Sequence, residues 1–177
     1  MKLHPINVGN FKLDGGAMFG VVPKALWNKT NPANEKNLID IASRCLLIED
    51  GNRLILIDTG MGTKQSDKFF NHYYRWGSLS VDKSLDSVGF CREDVTDVFL
   101  THLHFDHCGG SVKWNSMKDA YELTFPKANY WVHPAHWEHA IHPNDRRAAS
   151  AERGPVCTCG AVRRLSGVRV SRHRRDS

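Results

Sequence analysis

The sequence lacks a long hydrophobic run. No window of the 177 residues approaches the roughly 18 consecutive apolar residues of a membrane span, and the segment from Met1 to Pro5 shows no apolar core of a secretory signal. These absences predict a cytoplasmic chain with no membrane partner. Hydrophobic residues make up 41% and charged residues 24%, which is typical of one globular domain with a real core.

Cysteine is too sparse and too scattered to form a disulfide framework. The five cysteines are odd in number, and the closest two, Cys157 and Cys159, are separated by a single residue. Structural zinc sites are built from C-x-x-C pairs, of which this chain has none. The spacing therefore argues against a disulfide-rich secreted domain and against a zinc site at these cysteines.

Lysine is absent from residues 146–177. That segment holds 9 Arg and 2 acidic residues, a net charge of +7, whereas residues 1–145 hold 15 basic and 17 acidic residues, a net charge of −2. Helical and strand periodicity also stop near residue 145. Two interpretations remain open, a basic disordered tail or a sequence read out of its proper frame, and the second is favoured. We therefore predict an incomplete domain over 1–145 and an aberrant or disordered Arg-rich tail over 146–177.

Short apolar runs alternate with one amphipathic segment in the first part of the chain. Residues 45–48 and 54–57 are continuously apolar and flank Asp50-Gly51-Asn52, which predicts two strands joined by a hairpin turn. Ser80 is typical of the N-cap of a helix that stops near Gly89. This order of elements predicts an α/β fold. The other expected elements are strands over 3–8, 15–22, 95–101 and 130–132, a loop over 27–36 and a helix over 134–141.

Three imidazoles and a carboxylate follow the strand predicted over 95–101. His102 and His104 are two residues apart, so an extended backbone projects both to the same side, and Asp106 and His107 come after the chain bends. Imidazole and carboxylate are the donors that hold zinc and similar ions. The Gly-Gly pair at 109–110 allows a tight turn and a close approach of backbone. The spacing predicts a metal-binding loop rather than a polar loop that is His-rich by chance.

This H-x-H-x-D-H loop resembles the signature of the metallo-β-lactamase fold superfamily. Asp58-Thr59-Gly60, after the strand predicted over 54–57, resembles that family's second recurrent motif. Residues 14–24, D-G-G-A-M-F-G-V-V-P-K, and 107–110, H-C-G-G, are similar to the quorum-quenching, N-acyl-homoserine-lactone-type lactonases. The resemblance covers about residues 3–145. It implies an αβ/βα sandwich, of which this chain holds the N-terminal half and the start of the second part.

The resemblance also implies a role for each residue of the loop. His102 and His104 would hold one divalent ion, and Asp106 and His107 a second, with zinc as the expected metal. Asp58 would hydrogen-bond a ligand imidazole and fix its tautomer. Hydroxide produced by the paired ions would open a lactone or related ester, and Asp106 would hold that nucleophile and protonate the leaving alkoxide.

Family members take further ligands from later segments, and the sequence after residue 145 matches none of them. His173 lies among arginines, in surroundings unlike a ligand at the end of a strand. Catalytic zinc uses about three protein ligands plus water, so we expect weak metal binding and low activity from this chain.

Two further groups of residues have a functional and an ordinary interpretation. Met18 and Phe19 would line a substrate pocket, although such residues more often form core. Four histidines recur every third residue at the helix predicted over 134–141, and a polar helix face with Trp137 turned inward is favoured over a metal site. The four are His133, His136, His139 and His142.

Three functions follow from these features. The leading hypothesis is a metal-dependent hydrolase whose partner is a small-molecule ester or lactone. The second is a non-catalytic truncated fragment, because composition changes near residue 146. The third is a nuclease-type member of the same superfamily; only the Arg-rich tail supports it, so nucleic acid is not an expected partner. A missing second half would leave apolar sheet uncovered, which predicts association such as a homodimer.

Overall fold

The computed structural model describes residues 1–142 and 168–170, which form a mixed α/β structure. One sheet has the strand order β1-β2-β3-β4-β7-β8, and β5 and β6 pair separately. The strands are β1 (Lys2–Asp14), β2 (Leu38–Asp50), β3 (Arg53–Ile57), β4 (Asp97–Leu100), β5 (Val112–Trp114), β6 (Tyr121–Leu123), β7 (Asn129–Val132) and β8 (Val168–Val170). The helices are α1 (Gly15–Phe19), α2 (Lys24–Trp27), α3 (Asp67–Asn71), α4 (Val81–Asp86), α5 (Phe105–Cys108) and α6 (Pro134–Ile141).

The first three strands form an antiparallel meander. β2 and β3 pair from Leu46 opposite Ile57 to Asp50 opposite Arg53, and the turn between them contains Gly51 at φ +59°. Glycine adopts this left-handed conformation without steric cost. The hairpin predicted from the two apolar runs is confirmed, although β2 begins earlier than its continuously apolar part.

β3, β4 and β7 run parallel, and this brings the functional loops together. Ile57 of β3 lies opposite Phe99 of β4, and Phe99 lies opposite Trp131 of β7. The carboxyl ends of parallel strands meet at one edge of a sheet. The amide of Asp58 donates a hydrogen bond to the carbonyl of Phe99 over 2.8 Å, so the loop after β3 starts beside the end of β4.

One face of the large sheet carries the hydrophobic core. Side chains at alternate positions of the central strands point to this face, and α4 covers it with Leu85, which is fully buried. Burying one such aliphatic side chain stabilises the fold by roughly 1.5–3 kcal/mol. Phe99, on the opposite face, remains 43% exposed. The buried cluster contains Ile6, Cys45, Leu47, Leu54, Leu56, Leu85, Val95, Val98, Leu100, Cys108, Phe125 and Tyr130.

The strand expected over residues 15–22 is wrong. β1 continues to Asp14, and the chain then turns into the short helix α1. The Asp14 carboxylate accepts a hydrogen bond from the amide of Ala17 over 2.8 Å, which caps the helix. Gly15 packs against the ring of Trp27 so closely that a Cβ at this position would overlap it. The helix cap and this contact favour a helix, whereas the apolar residues of this segment alone suggested a strand.

The strand predicted over 3–8 is longer than expected, since β1 runs to Asp14, and α3, β5 and β6 were not predicted. The Ser80 hydroxyl accepts a hydrogen bond from the amide of Lys83 over 3.3 Å and caps α4, as predicted. Gly89, the expected stop, has φ +84°. β7 and α6 are confirmed, whereas β4 is shorter than the predicted strand over 95–101.

Part of the Arg-rich tail is a strand. Val168–Val170 pairs with β7 in parallel, with Tyr130 opposite Val168 and Val132 opposite Val170. The division into an incomplete domain over 1–145 and an aberrant or disordered tail over 146–177 stays a prediction. The other residues of that tail, including His173, lie outside the described residues.

Candidate metal centre

The metal loop begins where β4 ends and tightens into one helical turn. His102 and His104 lie on irregular backbone, and His104 forms the N-cap of α5 with extended dihedral angles. Its carbonyl accepts hydrogen bonds from the amides of His107 and Cys108 over 3.0 and 2.9 Å. Asp106 and His107 therefore project from a helical turn, whereas the first two histidines project from the segment before it.

The structure brings all four predicted donors together. The ring centroid of His102 lies 4.6 Å from that of His104 and 4.0 Å from that of His107, and Nε2 of His107 lies 3.6 Å from a carboxylate oxygen of Asp106. Burial, together with the neighbouring rings of His107 and His104, lowers the pKa of His102. The lowered pKa favours the neutral form of His102, and neutral imidazole is the form that binds metal.

Asp58 holds this loop from the end of β3. The residue is 7% exposed, and its carboxylate accepts hydrogen bonds from the Thr101 amide over 2.8 Å, the Thr101 hydroxyl over 2.8 Å and Nδ1–H of His107 over 2.8 Å. A carboxylate only accepts, so Nδ1 carries the proton and the lone pair of Nε2 faces outward. This is the orientation that a metal-binding histidine needs.

Asp58 also has φ +60°, an uncommon conformation for a residue with a side chain. Such backbone is energetically unfavourable by about 1–3 kcal/mol and clusters at functional sites. The three hydrogen bonds of its carboxylate supply a local reason for the conformation.

The backbone of the loop after β3 packs directly against the backbone that follows the metal loop. A Cβ on Gly110 would overlap the carbonyl oxygen of Thr59, and one on Gly109 would overlap that of Met61. The Thr59 amide donates to the carbonyl of His107 over 2.7 Å. The close backbone approach expected from the two glycines is confirmed.

An aromatic cluster beside the metal loop was missed by the sequence analysis. The ring of Phe105 lies 5.4 Å from that of Phe69 and 4.6 Å from that of Tyr73. Burial raises the pKa of Tyr73, and the negative charge of Asp106 adds to this effect. α3 is too short to show a period, so only the composition of residues 69–74, with its four aromatic residues, could have signalled this wall.

The proposed pocket residues Met18 and Phe19 do not join this cluster. Phe19 stacks on Trp27 with 5.0 Å between ring centroids, and Met18 is 51% exposed. Among the described residues, no ring contact or hydrogen bond connects either of them to the metal loop. Their role as substrate-pocket residues remains a prediction.

The helical histidines have ordinary partners. Nδ1 of His133 accepts a hydrogen bond from the amide of Ala135 over 3.2 Å, and His142 lies 3.3 Å from Glu138. Trp137 is partly buried. The favoured interpretation, a polar helix face, agrees with these contacts; the side chain of His139 lies outside the described residues.

The four donors match the chemistry of a divalent metal, but they form an open group. In residues 1–142 and 168–170, no three His, Cys, Asp or Glu side chains are arranged to enclose one ion. Imidazole nitrogens and carboxylate oxygens are nevertheless the donor types of zinc sites. His107 also has its Nε2 lone pair directed away from Asp58. The residues therefore fit a metal ion as part of its ligand set.

Comparison with known proteins decides the family. The sequence profile described as the metallo-beta-lactamase superfamily matches residues 39–161. The chain belongs to this superfamily. The resemblance recognised from the H-x-H-x-D-H loop and the fold that it implied are both confirmed.

The similar proteins include metallo-hydrolases and a lactonase. The chain is 31% identical to a probable metallo-hydrolase of Mycobacterium tuberculosis over 153 residues, covering 78% of this chain and 46% of the relative. It is 31% identical to an N-acyl homoserine lactonase of Bacillus cereus over 85 residues, covering 42% of this chain and 34% of the relative. The crystal structure of a probable metal-dependent hydrolase from Staphylococcus aureus superposes with a TM-score of 0.75 at 34% identity, over 84% of this chain and 52% of that chain.

This superfamily member spans about half the length of the relatives that it matches. In the described part, no helix is long and apolar enough to cross a membrane. The described sheet therefore corresponds to part of the architecture of those longer proteins.

Proposed function

We propose that this chain contributes the metal-binding loop of a metal-dependent hydrolase that opens lactones or related esters. The observation that carries the proposal is the convergence of His102, His104, Asp106 and His107, with His107 oriented by the buried carboxylate of Asp58. The similarity to a probable metallo-hydrolase supports the reaction class, and the similarity to an N-acyl homoserine lactonase supports the substrate class.

Two divalent ions are proposed, with zinc as the metal. His102 and His104 would hold one ion, and Asp106 and His107 would hold the other. A divalent ion, when bound, supplies acidification of water and polarisation of a carbonyl group. Remaining ligands would come from outside the described residues, because catalytic zinc uses about three protein ligands.

The chain's own residues would position a metal ligand and transfer a proton to the leaving group. Asp58 fixes the tautomer of His107 through the 2.8 Å hydrogen bond, so that Nε2 faces the site. Asp106, whose carboxylate lies 3.6 Å from Nε2 of His107, would accept a proton from the attacking water and return it to the leaving alkoxide. The rings of Phe105, Phe69 and Tyr73 form an apolar wall beside this carboxylate, suited to an acyl chain.

Hydrolysis with and without metal tests this proposal. The purified chain is incubated with an N-acyl-homoserine lactone and with a p-nitrophenyl ester, in zinc, in manganese and in chelator. We expect slow, metal-dependent turnover that is lost in His104→Ala and retained in His142→Ala, which changes an exposed histidine at the end of α6. Turnover that is equal in both variants, or absent with both metals, contradicts the proposal.

The non-catalytic fragment is the second candidate, favoured by the change of composition near residue 146. Translation of the coding DNA in the other two frames past that position tests it. A second half similar to the relatives in another frame would support a fragment, and its absence from both frames would remove this explanation. Cleavage of an oligonucleotide in the same metal buffers would instead favour the nuclease-type alternative.

A further inference from the structure

A cavity of about 110 Å³ lies beside the loops that support the metal loop. None of the four donor side chains lines it. Its walls come from β1, β2, β5 and the segments 59–63 and 75–82, together with Arg92, Gly110 and Thr124. One water needs on the order of 10–15 Å³ of such space, so the cavity has room for several waters or a small organic molecule. Thr59 and Gly110, which line the cavity, belong to the loops that follow β3 and β4.

Basic side chains outnumber acidic ones around this cavity. Arg75, Arg92 and Lys113 line it, against the single carboxylate of Asp82. Arg92 is already paired with Asp82 through two hydrogen bonds, and Lys113 lies 3.1 Å from Glu122. The remaining positive charge of the lining is therefore that of Arg75.

Arg75 has no carboxylate partner in the described part of the chain. Its guanidinium lies over the ring of Phe70, 4.3 Å from the centroid. Burial of the guanidinium lowers the pKa of Arg75, although the residue as a whole stays exposed. A partly desolvated guanidinium beside a cavity favours an anion, and its planar fork matches a carboxylate.

Thr124 supplies an independent sign of a missing partner. The residue is 5% exposed and lines the cavity, and its hydroxyl is buried without a hydrogen-bond partner among the described residues. Buried polar groups are almost always paired, so an occupant with a polar atom is favoured here. Apolar side chains of Val8, Phe11 and Leu79 form other parts of the wall and suit a short carbon chain.

We propose that this cavity binds a short-chain carboxylate, with its charged end at Arg75 and its chain against Val8 and Phe11. The hydroxyl of Thr124 offers a second hydrogen bond inside the cavity. This site does not depend on the metal centre, so it stands or fails separately from the proposed hydrolase function.

Titration of the isotope-labelled chain with sodium hexanoate, followed by two-dimensional NMR, tests the proposal. We expect saturable shifts at the amides of Val8, Ser43 and Thr124. Arg75→Met should weaken binding about tenfold or more, because a hydrogen bond to a charged group is lost. Arg44→Gln, which removes an exposed arginine outside the cavity, should leave the affinity unchanged. Inorganic phosphate, which has no carbon chain, should bind more weakly than hexanoate.

Conservative variants separate binding from folding. Thr124→Val should weaken hexanoate binding a few-fold, and Thr124→Ser, which keeps the hydroxyl, should restore it. Arg75→Lys keeps the charge but loses the planar fork, so it should bind more weakly than the wild type and more tightly than Arg75→Met. Absence of saturable shifts at millimolar hexanoate, shifts that map to other residues, or equal affinity of Arg75→Met and wild type would each overturn the proposal.

Discussion

Asp58→Asn tests whether the carboxylate of Asp58 orients His107 in the metal loop. The carboxylate accepts three hydrogen bonds of 2.8 Å, two from Thr101 and one from Nδ1–H of His107. Asparagine has nearly the same shape and tolerates φ +60°, so the backbone is not strained. Its carbonyl can keep the bond to the Thr101 amide, but its NH₂ group then faces a ring nitrogen that also carries a proton. The substitution therefore turns His107 or switches its tautomer.

Partners of this kind change metal affinity by about 10- to 100-fold, which corresponds to about 1.4–2.7 kcal/mol. Loss of a hydrogen bond to the buried charge should also lower the free energy of unfolding by about 1.5–3 kcal/mol. Zinc affinity is measured by competition with a chromogenic chelator, well below the melting temperature, so that the two effects are separated. Asp86→Asn, at an exposed position of α4, is the matched control. A zinc affinity of Asp58→Asn within twofold of the control would refute the positioning role of Asp58.

Three further predictions concern the fold. Gly110→Ala places a Cβ on the Thr59 carbonyl, so it should lower the free energy of unfolding by about 1–3 kcal/mol, or more if the loop cannot shift, as measured by denaturant unfolding. The control Gly89→Ala places its Cβ in open space and should cost only the strain of left-handed backbone, about 1–2 kcal/mol. Leu85→Ala should cost about 2–5 kcal/mol in the same assay, because the side chain is fully buried, and a loss no larger than that of the exposed control Leu26→Ala would contradict the assigned core. Burial raises the pKa of Cys45 from 9.0 to about 12, so the unfolded thiol releases its proton first and stability should fall as pH rises from about 9 towards 12. Cys45→Ala should reduce this alkaline slope, and an unchanged slope would contradict the prediction.

The site was readable from the sequence because its donors are close together along the chain. His102 to His107 span one strand end and one helical turn, so local geometry alone brings their side chains to one place. Asp58 is 49 residues from His107 and was assigned by resemblance; the parallel pairing of β3 and β4 is the physical reason that the two meet.

Features set by tertiary contact were not readable in this way. The packing of Gly15 on Trp27 turns residues 15–19 into a helix although their apolar residues suggested a strand. The aromatic contacts of Phe105 join α3 to the metal loop across more than thirty intervening residues, and no short period records such a contact. β8 is three residues long and depends on β7 for its hydrogen bonds, so its sequence alone carries too little pattern to predict it.

Metal content of the purified chain tests the central claim most directly. Mass spectrometry of the protein, rapidly desalted from a zinc buffer, should find bound zinc in the wild type and in His72→Ala, and clearly less in His102→Ala and His104→Ala. Zinc content that is at the level of the buffer in the wild type, or that is the same in all four proteins, would contradict the claim that these side chains act together as metal ligands.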